Sequence, residues 1–230
     1  IAQRLKHAVP ANEMHLAFQP LVHADDFSLH SYEVLLRWDN PILGRVSPEE
    51  FIPIAEDIGE IVRIGEYVLD TALSTYTEEL GRDSHVKLAL NISLRQLVVP
   101  GFADFILGYL EKYGLSARSL ILEVTETIFD ARNQNQIIAV LNSLHAKGIE
   151  VHIDDFGTGY SSLAYLNRFA VDKLKIDRSF IHDMNSDPNN SSVVLAIMNR
   201  RYRHSVEHLA EELESKNRDL AEKNKRLKQM

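Results

Sequence analysis

The sequence predicts an α/β fold with a mostly parallel sheet, and three observations carry that expectation. Short apolar runs alternate with longer amphipathic segments along most of the chain. The connections between apolar runs reach 15 residues or more, the length a helical crossover needs. Signals for tight antiparallel hairpins are nearly absent.

In chain order, residues 1–8 open on a mixed helical pattern without the basic flank and apolar stretch of an export signal. Apolar, β-branched or aromatic runs place strands at residues 16–22, 32–38, 86–92, 120–125, 151–154 and 172–177. Amphipathic spacing places helices at 47–58, 60–80, 93–113, 133–147 and 161–168, with a further one from Ser191. Ser47-Pro48-Glu49-Glu50 reads as an N-cap, an N1 proline and a capping-box glutamate. Gly114 and Gly148 stand where helices end in a left-handed residue.

Composition narrows the chemistry. The 230 residues are 45% hydrophobic and 25% charged, an ordinary globular balance. With ten glycines and seven prolines, collagen-like and low-complexity classes are excluded. No apolar run approaches the roughly 18 residues of a membrane span, and a cytoplasmic protein is expected. Zero cysteines remove disulfides, thiolate metal sites and cysteine nucleophiles, so any metal must be held by oxygen or imidazole. The net charge of −8 divides unevenly: residues 200–230 carry 9 Lys/Arg and 6 Asp/Glu, leaving residues 1–199 with 16 against 27. An acidic body argues against nucleic-acid binding, and an excess of carboxylates is compatible with divalent cations.

Polar residues interrupt the strands in a pattern. Gln19, Glu33, Asn91, Glu123, the pair Asp154-Asp155 and Lys175 each follow or break a mainly apolar stretch, on six successive strands. In a parallel barrel the carboxyl ends of the strands converge on one mouth, where such folds place their chemistry. Carboxylates gathered there would need cations among them, because an unpaired buried charge costs several kcal/mol. Taken singly, each has a structural explanation. Glu33 could pair with Arg37 on an edge strand, Asn91 could cap the following helix, Glu123 and Glu126 could end a strand and begin a helix, and Lys175 could be an ordinary surface lysine. Adjacent Asp154 and Asp155 are harder to explain so, since like charges repel unless a cation lies close.

Leu16-Ala-Phe-Gln-Pro20, Tyr32-Glu-Val-Leu-Leu-Arg-Trp38, Ser47-Pro-Glu-Glu-Phe-Ile-Pro-Ile-Ala-Glu56, Asn91-Ile-Ser93, Leu122-Glu-Val-Thr-Glu126, Ile153-Asp-Asp-Phe-Gly-Thr-Gly-Tyr-Ser-Ser-Leu163 and Asp172-Lys-Leu-Lys-Ile-Asp-Arg-Ser-Phe180 follow one another in an order that resembles the EAL domain. That bacterial family hydrolyses or senses cyclic di-GMP. Glu33-Val34-Leu35 has valine where the family name has alanine, but retains the glutamate. The resemblance implies a TIM-barrel-like fold that binds two divalent cations, Mg²⁺ or Mn²⁺, and cuts cyclic di-GMP to linear pGpG. It implies Glu33, Asn91, Glu123, Asp154 and Asp155 as metal ligands. Lys175 would position the attacking water or the phosphate, and Gln19, Leu35 and Arg37 would contact the substrate. Glu126 would anchor the loop after Asp155, which the family uses in dimerisation and activation.

The expected architecture is six of the eight barrel strands in an EAL-like domain at 1–199, followed by a long helix at 200–230. Family spacing from Lys175 lands on Glu211 and Glu214, so Glu211 is a candidate catalytic base in a seventh strand. The glycine-free and proline-free composition of 200–230 argues instead for helix. There Val206, Leu213, Leu220 and Leu227 recur every seven residues, with Ala210, Asn217 and Asn224 at the intervening a positions, the pattern of a short parallel coiled coil. A helix packed on its own barrel is the other reading of that segment. Two functions follow as expectations: a metal-dependent cyclic di-GMP phosphodiesterase, or a degenerate EAL domain that binds cyclic di-GMP or a protein partner. A homodimer, through this helix or the loop after Asp155, is expected in either case. A zipper-type DNA-binding protein is disfavoured by the few basic residues before the heptads (Arg200, Arg201, Arg203).

Overall fold

A computed structural model of the chain describes residues 1–80, 85–130, 132–156 and 170–177. They belong, but for the end of the last strand, to one compact unit, Ile1–Lys175. The helices expected at 161–168 and from Ser191, the loop after Phe156, the 199/200 boundary, the coiled coil and Glu211 lie outside the described residues.

All six expected strands form: β1 (Met14–Val22), β2 (Leu29–Asn40), β4 (Lys87–Asn91), β5 (Leu120–Thr125), β6 (Glu150–Phe156) and β7 (Lys173–Ile176). A short unexpected strand, β3 (Gly44–Val46), pairs with β2. The sheet runs β1-β2-β4-β5-β6-β7, with β2, β4, β5 and β6 parallel. β5 is buried at five of its six positions, as a parallel strand covered on both faces should be.

The sheet is mostly parallel, as expected, with an antiparallel edge where β1 runs antiparallel to β2 and β2 to β3. The physical reason is connector length, since the residues between β1 and β2 are too few for a crossover. That turn is closed by His23 N–H donating to Ser28 O (2.8 Å) and by Asp26 Oδ1, which accepts from the Ser28 amide (2.9 Å) and hydroxyl (2.7 Å).

The helices are α1 (Ala2–Ala8), α2 (Pro48–Asp57), α3 (Ile61–Thr75), α4 (Leu94–Leu97), α5 (Phe102–Lys112) and α6 (Gln134–Ala146). The single helix expected over 93–113 is therefore two. Pro100 lacks an amide hydrogen and disfavours helical backbone at Val99, and Gly101 takes the left-handed φ of 80° that starts α5 afresh. The helix expected over 60–80 ends at Thr75 and continues as a wider π turn, Tyr76–Leu80. Ser47 precedes Pro48 with extended backbone, but its side chain makes no capping bond, contrary to the capping box expected there. Gly114 and Gly148 do take left-handed backbone (φ 65° and 101°) after α5 and α6.

Helices α1, α2 and α3 pack on β1 and β2 through a core that includes Leu5, Met14, Trp38, Phe51 and Ile64. Trp38 meets Phe51 edge to face, centroids 5.6 Å apart. Its indole Nε1 donates to Glu13 Oε2 (2.9 Å), which also accepts from Asn40 Nδ2 (2.8 Å). Among the described residues, no helix is long and apolar enough to cross a membrane.

Candidate functional site

The strand ends carry the polar residues singled out above, and the curl of the sheet gathers several of them. Lys175 on β7 places Nζ 2.6 Å from Glu123 Oε2 on β5, 2.9 Å from Asp154 Oδ2 on β6 and 3.3 Å from Glu33 Oε2 on β2. One oxygen from each of these three carboxylates lies within 4.8 Å of the other two. Asn91, beside Glu123 in the β4–β5 register, directs Nδ2 to Glu33 Oε1 at 3.2 Å. Glu33 is thus engaged by Lys175 and Asn91, while the Arg37 guanidinium donates to Leu36 O at 3.0 Å.

Local structure sets these positions. β7 is clamped to β6 by Asp172, whose Oδ2 accepts from Val151 N–H and whose own N–H donates to Val151 O, both at 2.8 Å. That clamp fixes Lys175 opposite the carboxylates. The turn after Asn91 is held by Ile92 N–H to Glu123 O (2.8 Å), Ser93 N–H to Gln96 Oε1 (2.9 Å) and the Ser93 hydroxyl to Glu56 Oε1 (2.6 Å). Ser93, not Asn91, is the N-cap of α4, and it forms a capping box with Gln96. Gln96 reaches this place because α3 has glycine beside it: a Cβ on Gly65 would lie 1.9 Å from Gln96 Nε2.

Charge is unevenly met in the cluster. Three carboxylates face one ammonium, and Glu123 is buried (1% exposed) with Oε1 accepting no hydrogen bond among the described residues. Burial pushes the Glu123 carboxyl up, but His152 and the Lys175 charge outweigh it and hold it below the ordinary glutamate value. Burial likewise pushes Lys175 down, and the Glu123 and Asp154 carboxylates overcome that and raise it well above the ordinary lysine value. Both groups are therefore ionised at neutral pH. A buried carboxylate oxygen left without a donor costs on the order of 1–3 kcal/mol or more. The excess of negative charge and the orphaned Oε1 both fit a divalent cation held by hard oxygen ligands.

The other expected site residues are placed differently. Asp155 takes a left-handed backbone (φ 53°), donates its N–H to Asp154 Oδ1 (3.0 Å) and is exposed; it is not in the three-carboxylate group. Leu35 and Arg37 line a cavity of about 1020 Å³ that meets the cluster at Asn91 and Glu123 and extends past Thr125, Thr127, Arg132 and Asp155. Gln19 stands opposite Glu33 in the β1–β2 register, is exposed, and lies outside that lining. Glu126 is buried at the start of a short 3₁₀ turn, Glu126–Asp130, and the loop it was expected to anchor lies outside the described residues.

Sequence reasoning missed His152. It is buried (4% exposed), with Nε2 3.2 Å from Glu150 Oε2 and Nδ1 3.8 Å from Glu123 Oε1, too far for a hydrogen bond but close enough to act on the charge. The signal was available: strand alternation puts residues 150, 152 and 154 on one face.

Comparison with known proteins places this geometry. The profile of the family described as the EAL domain matches residues 2–218. The bifunctional diguanylate cyclase/cyclic di-GMP phosphodiesterase MucR of Pseudomonas aeruginosa is 39% identical over 195 residues, covering 84% of this chain and 28% of MucR. The cyclic di-GMP phosphodiesterase NbdA of the same organism is 35% identical over 214 residues, 93% of this chain and 27% of NbdA. The chain thus spans less than a third of either relative. Among solved structures, the PaMucR phosphodiesterase in complex with c-di-GMP superimposes with a TM-score of 0.78 at 39% identity, covering 85% of this chain and 79% of that one.

Proposed function

The chain belongs to the EAL domain family, and from that premise we propose that it is a metal-dependent phosphodiesterase that hydrolyses cyclic di-GMP to linear pGpG. The observation that carries this reading is the cluster of Glu33, Glu123 and Asp154, with its excess negative charge and its orphaned buried oxygen. Similarity to two relatives named as cyclic di-GMP phosphodiesterases supports the choice of substrate.

Glu33, Glu123 and Asp154 would hold the first Mg²⁺ or Mn²⁺, with Asn91 turning its amide oxygen inward. Asp155, next in sequence, would be a ligand of a second ion. Such cations supply a Lewis acid for a phosphoryl oxygen and lower the pKa of water toward neutrality. The chain's own residues do the rest. Lys175 keeps the carboxylates gathered in the order their ligation requires, and its ammonium can donate to a water or a phosphate oxygen. Arg37 and Leu35 line the cavity beside the cluster, a guanidinium for phosphate and an apolar side chain for a base. Gln19 shares the face of Glu33 and would contact the substrate from outside that lining. In the hydrolysis one P–O ester bond breaks as the water oxygen bonds to phosphorus, and a water proton ends on the leaving hydroxyl. Cyclic di-GMP has two such esters, and cleavage of one gives pGpG.

The test is pGpG release from cyclic di-GMP with Mg²⁺ or Mn²⁺, on wild type and Asp154→Asn. Wild type should turn over and Asp154→Asn should lose both activity and metal binding. Micromolar cyclic di-GMP binding without turnover would replace the enzyme reading with that of a receptor. Full activity in Asp154→Asn would overturn the ligand assignment.

A further inference from the structure

Behind the carboxylate cluster a second row of charged groups crosses three strands. Glu150 and His152 alternate with Asp154 onto one face of β6, and His152 pairs in register with Glu123 on β5. Glu150 divides its two oxygens: Oε1 is ion-paired with Lys87 on β4, and Oε2 lies 3.2 Å from His152 Nε2. The opposite ring nitrogen, Nδ1, faces Glu123 Oε1 at 3.8 Å. The row Lys87, Glu150, His152 therefore ends on the one Glu123 oxygen that accepts no hydrogen bond among the described residues. None of the three lines the cavity.

A buried imidazole between two carboxylates needs a reason, because an apolar side chain would fill the same volume without desolvating a polar ring. Glu123 supplies one. Its Oε2 is tethered to Lys175, but the last torsion of a glutamate is broad, so a single tether does not fix the carboxylate plane. His152 faces the other Glu123 oxygen, with its own orientation fixed through Nε2 by Glu150.

We propose that His152 is a positioning residue, held by the Lys87–Glu150 ion pair, that backs Glu123 Oε1, fixes the rotation of the Glu123 carboxylate and so presents Oε2 to a divalent cation beside Glu33 and Asp154. The proposal rests on the metal reading of the cluster given above. It assigns His152 no contact with substrate and no role as a ligand. Groups that orient a ligand from behind commonly set metal affinity by about 10–100-fold when removed.

The test is Mn²⁺ binding to the whole chain, followed by the loss of the free-ion electron paramagnetic resonance signal, with thermal unfolding recorded in parallel. His152→Leu keeps an apolar body and removes both nitrogens; it should weaken Mn²⁺ binding by roughly 10–100-fold. His152→Asn puts an amide near the place of Nδ1 and should recover most of that loss. A role confined to packing gives the reverse order, with leucine near wild type and asparagine worse, and that order overturns the proposal. Should His152→Leu not fold, Glu150→Gln carries the test alone: it removes the charge that holds the ring, and unchanged Mn²⁺ affinity in that variant overturns the proposal too. Failure of the underlying reading looks different. If wild type itself takes up no Mn²⁺, the metal site falls and this proposal with it. If wild type binds, Asp154→Asn does not, and His152→Leu matches wild type, the proposal falls alone.

Discussion

Glu13 and Glu123 are two carboxylates of one chain with opposite surroundings, and they separate what holds the fold from what equips the site. Glu13 follows α1, and its Oε2 takes one hydrogen bond from the buried Trp38 indole and another from Asn40. These donors hold its carboxyl below the ordinary glutamate value. Both partners lie on β2, so the bonds tie the chain after α1 to the sheet beside the Trp38–Phe51 contact. Glu123 is more deeply buried, shares one ammonium with two other carboxylates, and keeps an oxygen that accepts no hydrogen bond among the described residues. A carboxylate whose partners are supplied by the fold stabilises it. One with an oxygen left short of a partner gives up part of that stability unless something else binds, which is the mark of a site rather than of a scaffold.

Three experiments test that contrast. The largest effect belongs to the scaffold side: Trp38→Ala should cost about 3–5 kcal/mol of stability, because it empties a fully buried aromatic position and strips Glu13 of a donor. Chemical denaturation reads the loss, and a cost below 1 kcal/mol would show that the region around Trp38 is not the core it looks to be. Next comes Glu123→Gln, expected to lower metal-dependent activity by at least the ~10²-fold reached by groups standing behind ligands. Its stability should fall, because a carboxyl held below its ordinary value stabilises the fold in its charged form, but by less than Trp38→Ala, since Asp154 and Glu33 still face Lys175; a loss as large as that of Trp38→Ala would make Glu123 part of the scaffold and erase the contrast.

The smallest effect is that of Glu13→Gln. A folded-state pKa below the unfolded value contributes stability that is present above the unfolded pKa and is lost as pH falls through the folded one. Wild type should therefore lose this contribution below about pH 4.3, the ordinary glutamate value. Glu13→Gln, which keeps an acceptor but has no charge to lose, should show a flatter acid limb in denaturation curves recorded across that range. The same limb in both proteins would remove Glu13 from the account.

Much of the fold was legible because apolar periodicity is a local property. Leu120 to Thr125 forms a strand with the expected bounds, since a short, nearly unbroken apolar run suits a strand covered on both faces. The break at Pro100-Gly101 was equally local, but an amphipathic pattern on either side of it concealed the stop. The antiparallel β1–β2 pair was masked by a turn closed by side-chain hydrogen bonds of Asp26 rather than by a recognisable two-residue hairpin turn. At the site, the polar interruptions pointed to Gln19, Glu33, Asn91, Glu123, Asp154, Asp155 and Lys175 as a set, of which Glu33, Asn91, Glu123, Asp154 and Lys175 meet, while Gln19 and Asp155 stand outside the three-carboxylate group. His152 escaped because a single histidine in an apolar run looks like a core residue until its neighbours on other strands are known.

The residues alone established which types end the strands, that this sequence offers no thiol, and that oxygen and imidazole are its metal donors. The order of the motifs also determined the family. The fold in three dimensions set which oxygen of which carboxylate meets Lys175, that Arg37 turns to a backbone carbonyl rather than to Glu33, and that Glu123 Oε1 accepts no hydrogen bond among the described residues. The reason is one of range. Strand periodicity is set by adjacent residues, whereas the charge balance of the cluster arises between Glu33 and Lys175, which are 142 residues apart and meet when the sheet curls.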